Sequence, residues 1–295
     1  MPGELFREAM RGVGVTPVTP FSDDLSAIDV GGLKGNIEFL AAAGVKLLYP
    51  CGNTGEFNSL SLDEWTSAVE TCVAFSGDSM RVAPGVGQGF SAAMEMLRRT
   101  EDVGGDGVLL MPPHPTSVSE EGLRAYYLRL IEASPVPAVF YRRGGWPSDD
   151  LLAELTASDG AAGVKYGDPD VNAFAGSCGA GDAVWTCGLA ERWAPFFHLA
   201  GAEGFTSGLA NFAPGFALSL FDALRAGEYE AAMKLRETCL WFEEIRALDG
   251  SANNVAAVKT AMDAQGLKGG KVRPPLRDLD SETSKEVLLA ISGWT

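Results

Sequence analysis

A lysine follows a run of small and β-branched residues in the sequence AAGVKY at positions 161–166. Such a run is typical of a short buried strand, and a lysine at its end has no obvious place in an apolar core. In a desolvated pocket, burial disfavours the ammonium form of Lys165, and the neutral amine can form a Schiff base with a ketone. The alternative is a lysine whose stem packs on apolar surface while its head reaches solvent. The neighbouring motifs decide between the two.

Two further features supply groups that Schiff-base chemistry needs. Tyr141 ends another short apolar run, and a phenol beside the lysine can act as a general acid or base. In Gly52-Asn53-Thr54-Gly55, successive backbone N–H groups between glycines can bind a carboxylate. The hydroxyl of the threonine can relay protons. These residues together form one candidate site.

The elements that position these residues alternate between short apolar runs and amphipathic segments. Eight strand–helix units of this regularity predict an α/β fold, a parallel (β/α)8 TIM barrel, rather than an open doubly wound sheet. Residues 1–227 are assigned to the barrel and residues 228–295 to a C-terminal helical extension packed on it. The predicted strands are 12–18, 46–50, 81–85, 107–111, 138–141, 162–165, 183–187 and 204–207.

In such barrels the catalytic groups lie at the C-terminal ends of the strands. This rule adds residues that follow the fifth, seventh and eighth predicted strands to the candidate site. The predicted substrate-binding residues are therefore Gly52, Asn53, Thr54, Arg142, Gly188, Thr206 and Ser207.

Composition excludes several classes of partner. With 23 Lys and Arg against 39 Asp and Glu, the net charge of −16 opposes nucleic acid and anionic membranes as partners. The five cysteines have neither CxxC spacing nor a paired histidine pattern, so neither disulfides nor a metal site is expected, and a reducing cytoplasmic setting fits best. The first residues lack an apolar signal region, and no run approaches about 18 apolar residues. We expect a protein that is neither secreted nor membrane-spanning.

A set of motifs, in this order and spacing, resembles the dihydrodipicolinate synthase and N-acetylneuraminate lyase family of Schiff-base (class I) aldolases, lyases and dehydratases. The resemblance extends along nearly the whole chain. The motifs are GVGVTPVTPF (12–21), GNTGEF (52–57), LSLDE (60–64), APGVG (83–87), FY (140–141), GVK (163–165) and TSG (206–208).

The resemblance implies a role for each catalytic candidate. Lys165 is similar to the Schiff-base lysine of the family, Tyr141 to the tyrosine that shuttles protons at it, and Thr54 to the proton-relay hydroxyl. Asn53 with Thr54 would hold the carboxylate of a 2-oxo acid substrate. No metal or organic cofactor is implied, because the imine itself acts as the electron sink, and the family suggests a homo-oligomer, either a dimer or a tetramer.

Departures from the synthase pattern indicate a branch of the family. Asn53 replaces a threonine, the sequence PHP at 113–115 stands where synthases carry a pair of tyrosines, and Arg142 and Arg143 follow Tyr141. In the synthases the second of these tyrosines crosses the dimer interface, and its absence here disfavours lysine biosynthesis. The added cations suit an acidic sugar. The chain resembles most the 5-dehydro-4-deoxyglucarate dehydratases and related 2-keto-3-deoxy sugar acid dehydratases or aldolases.

The function implied is dehydration or aldol cleavage of a 2-keto-3-deoxy sugar acid. Two alternatives stay open: condensation of pyruvate with an aldehyde, as in dihydrodipicolinate synthase, and a non-catalytic barrel that binds an oxo acid. Retention of Lys165, Tyr141 and Thr54 favours an enzyme, because a binding protein has no need of an imine-forming lysine.

The remaining polar candidates can have structural roles as well as functional ones. At most one of Arg142 and Arg143 is expected to contact substrate, and His114 is as consistent with a rigid loop as with a site. Structural roles are predicted for the others: holding the glycine loop for Glu56, helix capping for Glu191 with Arg192 and for Asn253 with Asn254, and buried thiols for Cys51 and Cys187.

Overall fold

The computed structural model describes residues 2–113, 117–179 and 181–294. Short parallel strands form a closed ring, and each strand is followed by helical or turn segments that cover it. The strands are β1 (Val13–Val15), β2 (Leu47–Leu48), β3 (Arg81–Val82), β4 (Gly85–Val86), β5 (Val108–Leu110), β6 (Ala138–Arg142), β7 (Ala161–Tyr166), β8 (Val184–Cys187) and β9 (Gly204–Ser207).

The hydrogen-bonding order of the strands is β3-β2-β1-β9-β8-β7-β6-β5-β4. The two ends of this order, β3 and β4, are consecutive and are separated by Ala83 and Pro84. Proline has no N–H to donate, so the strand is interrupted there. The ladder continues on both sides, since Ala83 N–H donates to the Leu48 carbonyl at 2.9 Å and Gly85 N–H to the Pro50 carbonyl at 2.9 Å. The predicted TIM barrel is confirmed, with its third strand divided in two.

Helices surround the ring, and six of the twelve described begin at a residue whose side chain caps the first turn. Ser61 and Glu64 form a capping box, and Ser148 accepts a hydrogen bond from Leu151 N–H. The helices are α1 (Pro2–Met10), α2 (Val30–Ala42), α3 (Leu62–Phe75), α4 (Phe90–Asp102), α5 (Glu120–Ala133), α6 (Asp149–Thr156), α7 (Val171–Ser177), α8 (Ala190–Leu199), α9 (Pro214–Arg225), α10 (Tyr229–Ser251), α11 (Asn254–Ala264) and α12 (Ser281–Ala290).

Helix α1, which the sequence analysis did not predict, contacts the strands of the barrel. Its side chains Phe6 and Met10 are fully buried. A Cβ atom at Gly107 would overlap the Phe6 ring, and one at Gly163 would overlap the Met10 side chain. These glycines make room for the helix near the N-terminal ends of β5 and β7. The helix therefore covers the end of the barrel opposite to the C-terminal ends of its strands.

The C-terminal extension consists of α10, α11 and α12, close to the predicted helical segments 229–245, 253–265 and 281–292. Apolar side chains bury it against the barrel; Phe242 and Phe212, for example, meet edge to face with ring centroids 5.1 Å apart. Helix α10 is kinked near its end, where Asp249 and Gly250 have positive φ. Among the described residues, no helix combines the length and apolar character needed to cross a membrane.

Candidate active site

Lys165 and Tyr141 lie side by side at the C-terminal end of the barrel. They are register partners in the neighbouring strands β7 and β6, so their side chains point to the same side of the sheet. Lys165 Nζ is 4.5 Å from the centroid of the Tyr141 ring and 5.9 Å from that of Tyr49. Both Lys165 and Tyr141 line a cavity of about 490 Å³, and Lys165 is only 4% exposed. The prediction that this lysine enters a desolvated pocket agrees with its position.

The surroundings of the two residues favour a neutral lysine and an acidic tyrosine. Burial lowers the pKa of Lys165 below its ordinary value, and the charge of Arg143 lowers it further. Burial raises the pKa of the Tyr141 phenol, but the positive charges of Lys165, while it is protonated, and of Arg143 outweigh that effect and leave this pKa below its ordinary value. An amine that is easily deprotonated therefore adjoins a phenol that ionises easily.

The Tyr141 hydroxyl oxygen accepts two hydrogen bonds. Asn53 Nδ2 donates to it at 3.2 Å and Arg143 Nη1 donates to it at 3.1 Å. Hydrogen bonds of this kind stabilise a phenolate, the form of a tyrosine that can act as a base. Asn53, predicted as a ligand for the substrate carboxylate, thus also orients the tyrosine.

The glycine loop lies between β2 and α3 and reaches the cavity through Asn53 and Thr54. Its internal hydrogen bonds use the N–H groups of Glu56 and Phe57, which donate to the Asn53 and Gly52 carbonyls. Those of Asn53 and Thr54 make no such bond within the described residues, and both residues line the cavity. Gly52 is buried behind the loop against Thr16, so the loop can offer two amides to an anion, as in the predicted carboxylate site.

The structure contradicts the prediction that Arg142 contacts substrate. Its side chain points away from the cavity and forms ion pairs with Asp168 at 3.2 Å and Asp149 at 3.4 Å, over the ring of Tyr166. Successive residues of a strand face opposite sides, so Arg142 points away from the barrel axis, on the side opposite to Tyr141. Arg143, beyond the strand, turns back into the cavity.

The remaining predicted ligands follow β8 and β9. Gly188, Thr206 and Ser207 all line the cavity. A Cβ atom at Gly188 would lie 2.8 Å from the Tyr166 carbonyl oxygen, so a larger residue would push this loop away from β7. Ser207 Oγ donates a hydrogen bond to Glu191, which is fully buried. Of the nine predicted site residues, catalytic and binding together, seven line the cavity, and only Gly52 and Arg142 do not.

A comparison with known sequences identifies the family. The model of the dihydrodipicolinate synthetase family matches residues 9–293. The chain belongs to the dihydrodipicolinate synthetase family. The predicted resemblance is therefore confirmed, and the protein is a lyase of this family.

Individual members of the family match along almost the whole chain. A Methylobacterium radiotolerans protein named probable 5-dehydro-4-deoxyglucarate dehydratase is 33% identical over 98% of this chain and 97% of its own length. A Methanospirillum hungatei 4-hydroxy-tetrahydrodipicolinate synthase is 31% identical over 96% of this chain and 99% of its own. The crystal structure of dihydrodipicolinate synthase from Bacillus clausii superposes with a TM-score of 0.94, at 33% identity over 98% of this chain and 99% of that one.

A buried ion pair ties the glycine loop of this family member to its C-terminal extension. Lys259 Nζ of α11 lies 2.6 Å from Glu56, and both side chains are almost completely buried. Lys259 also donates to the Lys271 carbonyl at 2.7 Å, and Glu56 accepts from Arg273 N–H at 2.9 Å. Glu56 does hold the loop, as predicted, but its partners come from the other end of the chain.

Replacing Lys259 by methionine is expected to lower the free energy of unfolding by about 3–5 kcal/mol, because it leaves the Glu56 carboxylate buried without its partner. Chemical denaturation measures this change. The matched control is Lys34→Met at an exposed pair, where Nζ is 3.8 Å from Glu38 and a change below about 0.5 kcal/mol is expected. The double variant Glu56→Gln with Lys259→Met should recover part of the loss; a loss as large as in the single variant would contradict this account.

Replacing Arg143 by methionine should shift the acidic limb of kcat/KM to higher pH. Arg143 lowers the pKa of Lys165, so its removal raises that pKa and leaves less neutral amine at any given pH below it. Turnover on the acidic side should fall several-fold, and a pH–rate profile measures the shift. Arg124→Met, at an exposed pair with Glu154, is the control that should leave the profile in place. An unmoved acidic limb in the Arg143 variant would contradict the assigned role.

The sequence analysis did not assign several cavity residues to the site, and it gave Arg192 and Asn254 a capping role instead. Thr16 follows β1, Asp168 accepts hydrogen bonds from Gly144 and Gly145 N–H, and the helices contribute Arg192, Trp193, Glu243, Arg246 and Asn254. Of these residues, only Asp168 could have been found from the sequence, because it follows the strand-end residue Lys165 by three positions. Side chains from the extension carried no such signal, because no local pattern indicates which face of a helix meets the barrel mouth.

The structural roles predicted for the two cysteines are confirmed, and those predicted for the two asparagines are not. Cys187 is a buried thiol as predicted, and burial raises its pKa to about 12; Cys51 is buried too. The predicted capping by Asn253 and Asn254 is wrong: Asn253 makes no side-chain cap, and Asn254 Oδ1 instead accepts from Arg246. His114 lies outside the described residues.

Proposed function

We propose that this family member is a Schiff-base-forming lyase that dehydrates a 2-keto-3-deoxy sugar acid of the 5-dehydro-4-deoxyglucarate type. The observation that carries the proposal is the buried Lys165 amine beside Tyr141, in a cavity whose mouth offers the amides of the glycine loop. The name of the M. radiotolerans relative supports the substrate class.

In the first step, the neutral Lys165 amine attacks the C2 ketone of the substrate. Loss of water from the carbinolamine gives a protonated imine, which withdraws electrons from C3. The Asn53 and Thr54 amides bind the C1 carboxylate and set the orientation of the ketone toward Nζ. No metal or organic cofactor is part of the proposal.

In the second step, the Tyr141 phenolate removes a proton from C3 and an enamine forms. The electron pair then expels the C4 hydroxyl, which takes a proton from the Tyr141 phenol and leaves as water. Hydrolysis of the imine releases the product and restores the lysine. Aldol cleavage follows the same path up to the imine, but the C3–C4 bond breaks instead of the C4–O bond.

A second candidate function is the condensation of pyruvate with an aldehyde. It is favoured by the M. hungatei relative, which is named for a synthase reaction at 31% identity. The arginines at the cavity favour the sugar acid, because Arg143, Arg192 and Arg246 line it and a dicarboxylic sugar acid brings a second carboxylate that pyruvate lacks. A non-catalytic oxo-acid-binding barrel is the third reading, and the buried, easily deprotonated lysine argues against it.

Borohydride trapping tests the proposal. The protein is incubated with pyruvate and, separately, with 2-keto-3-deoxy sugar acids; borohydride reduces any imine, and intact mass and peptide mapping locate the adduct. An adduct on Lys165 that has lost one water beyond imine formation supports a dehydratase. If pyruvate is trapped on Lys165 and enzyme that has not been reduced consumes pyruvate only when an aldehyde is added, the synthase replaces the proposal. Folded protein that traps no 2-oxo acid would replace it by the binding barrel.

The proposal extends to the setting of the reaction. We infer a cytoplasmic enzyme, since all five cysteines are free thiols and four of them are buried. We also infer a homo-oligomer, a dimer or a tetramer, as the family suggests. Nucleic acid and membranes are not proposed as partners, because the net charge of −16 opposes both.

A further inference from the structure

One wall of the cavity is built by helices. Glu243 and Arg246 of α10, Asn254 of α11 and Arg192 of α8 line the cavity together with the strand-end residues. The kink of α10 near Gly250 allows α11 to begin beside Arg246. The extension is therefore part of the site, not only a support for it.

Arg246 is held in one position by its neighbours. Its Nε and Nη2 donate to Asn254 Oδ1 at 3.1 and 2.7 Å, and its Nη1 pairs with Glu243. A Cβ atom at Gly208 would overlap the guanidinium, so this position has to be glycine for the side chain to lie there. A guanidinium has five N–H donors. The contacts named here use three, which leaves two donors for a ligand.

The charges around the cavity favour an anion at this wall. Arg246 and Arg192 are cations, whereas Glu243 is paired with Arg246. Behind them, burial and the nearby Glu243 raise the pKa of Glu191 above its ordinary value, which favours its neutral form and limits the negative charge there. Although the chain as a whole has a net charge of −16, arginines line this wall of the cavity.

We propose that Arg246, assisted by Arg192, binds a second carboxylate at the end of the substrate remote from the imine. The two free guanidinium donors fit the two oxygens of a carboxylate, and Arg192 supplies positive charge that Glu243 does not already offset. The C-terminal extension then determines specificity: the preferred substrates are 2-oxo dicarboxylic sugar acids over 2-oxo acids that end in a hydroxymethyl group. This inference rests on the proposed function.

The test compares two substrates of the same configuration that differ only at the remote end. 5-Dehydro-4-deoxyglucarate carries a second carboxylate there, and 2-keto-3-deoxy-L-galactonate carries a hydroxymethyl group. In Arg246→Lys, which keeps a positive partner for Glu243, and in Arg192→Met, we expect KM for the dicarboxylate to rise at least about tenfold. We expect kcat to change less, and KM for the monocarboxylate to change by less than about threefold. Arg225→Lys, on the exposed end of α9, is the matched control.

The possible failures are distinguishable. Wild-type protein that traps neither pyruvate nor a sugar acid refutes the proposed function. Normal trapping and turnover with no preference for the dicarboxylate refutes only the second-carboxylate subsite. Equal increases of KM for both substrates also refute it, since they indicate a general disturbance. Thermal unfolding and pyruvate trapping by each variant, both expected near the wild-type values, show that the fold and the imine site are intact.

Discussion

Replacing Lys165 by methionine is expected to lower kcat/KM by at least about 10⁴-fold and to abolish borohydride trapping, because the nucleophile that forms the imine is gone. Methionine matches the length and the burial of the lysine stem, so the fold should be kept. Steady-state kinetics measure the loss, and circular dichroism with thermal unfolding verifies the fold.

The matched control for this variant is Lys46→Met, an exposed lysine just before β2. It should retain wild-type turnover and trapping. Turnover within about tenfold of wild type in the Lys165 variant would contradict imine catalysis, whereas loss of trapping with a cooperative thermal transition would support it. Removal of the buried amine is expected to raise stability slightly, because a buried ionisable group is costly to the folded state.

Replacing Tyr141 by phenylalanine is expected to lower kcat by about 10²–10⁴-fold, the typical contribution of general acid–base catalysis. The ring and its packing remain, and only the hydroxyl that accepts hydrogen bonds from Asn53 and Arg143 is lost. Pyruvate trapping on Lys165 should persist, since imine formation needs the amine and not the proton shuttle at C3. Single-turnover kinetics with a sugar acid measure the effect.

Tyr127→Phe is the control for the tyrosine variant. Tyr127 is also fully buried, in α5, and its hydroxyl has no hydrogen-bond partner among the described residues. Its loss should leave kcat within about twofold. If both variants lost activity to the same degree, a packing effect would explain the result, and Tyr141 would not be the acid–base group. A Tyr141 variant that fails to trap pyruvate would place the hydroxyl in imine formation instead.

The positions of Lys165 and Tyr141 illustrate what could be predicted from local sequence. Each follows a short apolar run, and the alternation of such runs with amphipathic helices predicted a barrel in which all strand ends meet at one rim. That rule alone brought the lysine, the tyrosine and the glycine loop together, because it depends only on the order of the elements. The prediction for Arg142 was wrong for a local reason. The strand extends one residue further than predicted, and because side chains alternate between the two faces of a strand, this one points away from the barrel axis.

The sequence by itself determined the barrel, the family and the groups that can form and use an imine, because these depend on periodicity and on motifs confined to a few residues. Only the tertiary structure decided what surrounds them. Lys259 forms an ion pair with Glu56, although the two residues lie far apart in the sequence. Arg246 lines the cavity from a helix whose sequence pattern indicates only burial. Such contacts arise where the extension packs on the rim, and the docking of one element on another leaves no periodic signal in either.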